Sequence, residues 1–130
     1  WVPFAISDKE HVARENVGKH VAGLLHRVNP AYFDESDADV IQRIRQGFAP
    51  YPHNSASLGD VSQIPAKFID MLALSGTSTS IRSQIENMSS VSGFNTLVLN
   101  TQNSESKDGK FPTLEYSLKS FAEGVMSYSD

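Results

Sequence analysis

Cysteine is missing from the chain altogether, which excludes disulfides, thiolate metal sites and cysteine nucleophiles without choosing a cellular compartment. No apolar run approaches the roughly 18 residues that a membrane-spanning helix needs, so a soluble chain without a transmembrane segment is expected. No two of the 8 glycines are separated by a single residue, and neither the dinucleotide fingerprint nor a P-loop can be written anywhere. A Gly-x-Ser-x-Gly nucleophile elbow is absent too. Basic character is scarce: the net charge is −4, no block is strongly basic, and a protein devoted to nucleic acid is correspondingly disfavoured. There is no internal repeat and no sustained heptad.

The 4 histidines do not supply what the cysteines lack. His11 and His20 stand about 180° apart on one helix, and His20 and His26 about 240°, so they cannot chelate together. His11 and Glu15 share a face, but two ligands do not make a zinc site. The acidic run Asp34, Glu35, Asp37 and Asp39 invites a calcium reading and fails it on spacing. A calcium loop opening at Asp34 requires glycine where Asp39 stands and glutamate where Arg45 stands. The same acids suit a helix N-terminus. No metal, no cofactor and no catalytic residue is assigned, and an enzyme is the less favoured class.

What is present is helical periodicity. From Ser7 to Asn29 the chain carries Ser7 and Glu10 at capping-box spacing, then Ala13, Val17, Val21, Leu24, Leu25 and Val28 at steps of three and four. This predicts a helix over 8–28, stopped by Asn29 and Pro30. Glu15 and Lys19 stand at pairing distance on it, and Gly18 and Ala22 offer a place for close approach. A second helix is expected over 37–48, capped by Ser36 or Asp37, with Val40, Ile41, Ile44 and Phe48 inward. A third is expected from Pro65 to Leu74, ended by Ser75 and Gly76, and a fourth from Thr77 or Ser78 through Ile81, Ile85 and Met88. The short connection predicts that these two form an antiparallel hairpin.

Residues 94–101, FNTLVLNT, are the best strand in the sequence. Residues 112–127 carry both periods, with length and Pro112 favouring helix; the rival is a hairpin of 94–101 with 112–118. The opening WVPFAI reads as an edge strand or an arm, because Pro3 argues against a central position. The fold class is thus mainly α, a four- to five-helix compact domain with a minor strand element over residues 1–130, with α+β as the alternative.

Function is expected from surfaces. The leading class is a non-enzymatic protein-interaction or assembly domain, acting through helix faces and the N-terminal arm, with a protein partner or self-association. Its candidate residues are Trp1, Phe4, Arg43, Arg45, Phe48, and Tyr51 and His53 on the long loop 49–63, types favoured as interface anchors. One alternative is a nucleic-acid-associated structural protein in which Arg43 and Arg45 gather with Arg82 or Lys67. The other is a small enzyme or ligand carrier whose site is assembled from distant segments. Because the chain opens on Trp1 rather than Met, it is expected to be processed or cut from a longer protein.

Overall fold

Strand β1 (Val2–Ile6) runs between β2 (Leu74–Gly76) and β3 (Leu99–Thr101), parallel to both, in the order β2-β1-β3. The structure is a computed structural model that describes residues 1–48, 61–93, 95–101 and 114–126. Around the sheet lie α1 (Glu10–Leu25), α2 (Glu35–Gly47), α3 (Ala66–Leu72), α4 (Ser78–Ser92) and α5 (Leu114–Gly124). Two 3-10 turns, Pro30–Tyr32 and Val61–Gln63, precede α2 and α3. The protein is mainly helical with a small strand element, and none of the described helices is long and apolar enough to cross a membrane.

The opening segment is the central strand, which corrects the edge or arm reading. Pro3 is tolerated there because of where its missing N–H falls. Val2 N–H reaches Val98 O and Ser7 N–H reaches Gly76 O, so alternate residues of β1 address β3 and β2 in turn. Pro3 belongs to the β2 side, one residue before that ladder begins at Phe4 opposite Leu74. An uninterrupted apolar run is also what a parallel strand covered on both faces requires.

Period-2 alternation divides the core between those faces. Ala5 joins Ala13, Val17, Val21, Ala22 and Leu25 of α1, with Ile41 and Ile44 of α2 and Phe68 and Ile69 of α3. Phe4 and Ile6 face the other way, joining Leu74 and Ile81, with Ile85 and Met88 of α4 and Phe121 of α5 packed against them. Phe121 meets Phe4 edge-on, with centroids 5.4 Å apart.

Helix boundaries move for local reasons. The Ser7 N–H is spent on Gly76 O, and its hydroxyl accepts from Lys9 N–H at 3.2 Å, so α1 starts at Glu10 without the expected capping box. It ends at Leu25 rather than Val28. Arg45 of α2 donates from Nε to Leu25 O at 2.9 Å and from Nη2 to Val28 O, supplying partners to carbonyls at that terminus. Asn29 instead accepts from Ala31 N–H and caps the following 3-10 turn. Asp34, two residues ahead of the expected cap Ser36, caps α2 by accepting from Asp37 N–H at 2.8 Å.

The expected helix from Pro65 to Leu74 stops at Leu72, and Leu74, Ser75 and Gly76 are strand β2. The predicted hairpin of the third and fourth helices is therefore replaced by an α3-β2-α4 passage. Gly76 makes it at φ 140°, where a Cβ would stand 2.9 Å from Ser80 Oγ, and Thr77 caps α4 through Ser80 N–H. Of the described residues 95–101 only Leu99–Thr101 are regular strand, paired to β1, and the segment from Leu114 is helix, so the rival hairpin does not form.

Two stability measurements follow. Phe4→Ala is expected to lower unfolding free energy by about 3–5 kcal/mol, whereas Trp1→Ala changes it by no more than about 0.5 kcal/mol, both read from urea denaturation. Tyr116 of α5 is raised above the ordinary tyrosine value, first by burial and then by its hydrogen bond to the Asp8 carboxylate. A raised folded-state value favours the neutral phenol. The stability it contributes is complete below the unfolded value of about 10 and is lost as pH rises through the folded value. The difference between wild type and Tyr116→Phe in urea midpoint is therefore expected to shrink above that pH.

Candidate functional site

The two outer edges of the sheet are treated differently. On β2, Leu74 and Gly76 address β1, so the N–H and C=O of Ser75 point outward. Gln84, projecting from α4, meets both: its Oε1 accepts from Ser75 N–H at 3.3 Å and its Nε2 donates to Ser75 O at 2.9 Å. Ser80 Oγ, 3.0 Å from the same nitrogen, helps orient the amide. A side-chain amide thus provides the pair of hydrogen bonds a further strand would give.

Among the described residues no such device covers β3. Val98 O accepts from Val2 N–H, and with Val2 opposite Leu99 the alternation turns Leu99 and Thr101 outward. Among the described residues no strand lies beyond them. Residues 96–101, TLVLNT, contain neither charge nor proline, the usual means of blunting an edge. The register also sets Trp1, 92% exposed, beside Val98, 39% exposed.

Two clefts flank the Val61–Gln63 turn. The larger, about 550 Å³, lies between α1, this turn and α3, with His11, Arg14, Glu15 and Lys19 along one wall and Val61, Ser62 and Ile69 opposite. Gly18 makes it: a Cβ there would overlap Val61 Cγ1, so glycine lets the turn dock on α1. The close approach expected of Gly18 is thus used within the chain. Arg14 is held by Glu10 at 3.3 Å and Asp70 at 3.4 Å. The smaller cleft, about 390 Å³, is lined by Val40, Arg43, Ile44, Gly47 and Phe48 of the α2 region with Gln63 and Pro65.

The residues singled out from sequence are scattered by the fold. Trp1 is exposed, but Phe4, 1% exposed, is core and cannot serve as a docking residue. Arg43 and Phe48 share the smaller cleft, Phe48 largely buried and its carbonyl 2.8 Å from His26 Nε2. Arg45 is occupied by the α1 carbonyls, Arg82 by Gly124 O at 3.0 Å and Lys67 by Asp37, so the envisaged basic group is not assembled from them. Tyr51 and His53 lie outside the described residues. No group of three metal-ligating side chains occurs among the described residues. Gln84 had no signal in the sequence, since its role depends on a strand that was itself unread.

Replacing Gln84 by alanine leaves the Ser75 N–H and C=O without partners. The expected loss is about 1–3 kcal/mol of stability, with faster hydrogen exchange at the Ser75 amide. Comparison with protein-family models, curated proteins and solved structures finds no match for this chain.

Proposed function

We propose that this chain is an assembly domain that pairs with a second copy of itself through the outer edge of β3. The observation that carries the reading is the contrast between edges: Gln84 closes β2, while β3 offers outward backbone groups at Leu99 and Thr101 in an uncharged run. Strand addition is a recurrent mode of recognition because main-chain hydrogen bonds form whatever the side chains are. A second copy is the favoured occupant because the edge is compatible with itself. Antiparallel pairing about a two-fold axis brings Leu99–Thr101 against the same residues with no like charges opposed.

Trp1 supports the reading from the neighbouring strand. It is the one tryptophan in the chain, it is exposed, and it stands beside exposed Val98 where a partner would cover both. Aromatic side chains of this kind are frequent interface anchors. Three-residue strands supply few hydrogen bonds, so the dimer is expected to be in exchange with monomer rather than permanent.

Light scattering on a sizing column is expected to show mass rising from monomer to dimer with concentration, accompanied by a blue shift of Trp1 emission. Thr101→Pro removes an outward N–H but no N–H that reaches β1, and proline restricts the preceding Asn100 to the extended backbone it already has. This variant is expected to keep its circular dichroism and remain monomeric. A wild-type monomer at every concentration, or equal dimerisation by Thr101→Pro, overturns the proposal.

A further inference from the structure

We infer that the cleft between α1 and α3 binds a small organic anion with an apolar body, a carboxylate of aryl or acyl type. This does not rest on the assembly reading, because different residues carry it. The volume of about 550 Å³ falls within the range of small-molecule sites. Its walls combine the two ingredients such sites need. Val61 and Ile69 supply apolar surface, and α1 supplies polar groups that converge from one helix face.

Charge decides which end of a ligand goes where. Arg14 is engaged by Glu10 and Asp70, and Glu15 adds a carboxylate to the same wall. Lys19 makes no ion pair among the described residues and is the cation left to receive an anion. It adjoins Gly18, where Val61 packs against α1, so a carboxylate on Lys19 sets the attached apolar group over Val61 and Ile69. His11 is eight residues away, roughly 12 Å along the helix, and belongs to the opposite end of the cleft. One carboxylate cannot span that distance. The arrangement therefore favours an elongated monoanion, anchored at Lys19 with its apolar body running over Val61 and Ile69. A compact dianion such as phosphate would set both its charges against Lys19, with Glu15 one turn away on the same wall.

The test is a titration of the protein with 2-naphthoate and with its neutral counterpart 2-naphthamide, followed by amide chemical shifts. Saturable 2-naphthoate binding is expected, with shifts centred on residues 11–19, 61–62 and 69, and with the amide at least about tenfold weaker. Lys19→Gln, an exposed substitution that leaves the core intact, is expected to weaken 2-naphthoate about tenfold and to leave 2-naphthamide unchanged. Lys119→Gln on α5 should alter neither. Thr101→Pro should bind as wild type does, which separates this site from assembly. Non-saturating shifts, equal affinity for acid and amide, or indifference to Lys19→Gln overturns the inference.

Discussion

A strand that is parallel to both its neighbours determines most of this molecule. Parallel partners cannot be joined by a tight turn, so each pairing needs a crossover of a dozen or more residues. The passage from β1 to β2 carries α1, α2 and α3, and the passage from β2 to β3 carries α4. Both faces of a strand so placed are covered by helices, and Val2–Ile6 accordingly has no polar face. The high helix content is a consequence of three short parallel strands rather than an alternative to them.

Side-chain size on β1 then sets how each layer approaches. The α1 face presents Ala5, met by Ala13, Val17, Val21 and Ala22, so helix and sheet meet largely through small and β-branched side chains. The opposite face presents Phe4 and Ile6, and the larger Phe121, Ile85 and Met88 fill the space above them. α2 does not share in either sheet contact as directly. It is fixed to the end of α1 by polar bonds, Arg45 to Leu25 O and Val28 O and His26 to Phe48 O. Loss of the arginine would leave carbonyls of the α1 terminus short of donors, whatever became of the apolar contacts.

The helices could be read from the sequence because their evidence is local. Val17 and Val21, Ile41 and Ile44, and Ile81, Ile85 and Met88 repeat over several turns, and each stripe does face a core. Pairing partners are not local, and that is where reading failed. Leu74–Gly76 is too short to show a period of its own and reads as the last residue of a helix followed by its stop. Pro3 counted against a central strand because the direction of its missing N–H is settled only by register. Trp1 and Phe4 looked equivalent until alternation placed one in solvent and the other at 1% exposure. Arg45 looked like a surface anchor for the same reason: its acceptors lie on another helix.

The two candidate sites fall on opposite sides of this architecture, and the topology explains why. α1 packs over β1 and β2, and α3 packs against α1 and β2, so the cleft between them belongs to the β2 side. The edge with no further strand among the described residues belongs to β3, separated from that cleft by the width of the sheet. Closing β2 with Gln84 directs any strand addition to β3 and away from the cleft wall. An assembly formed through β3 therefore leaves the Lys19 cleft uncovered, and a ligand there would be carried by each copy without competing for the interface.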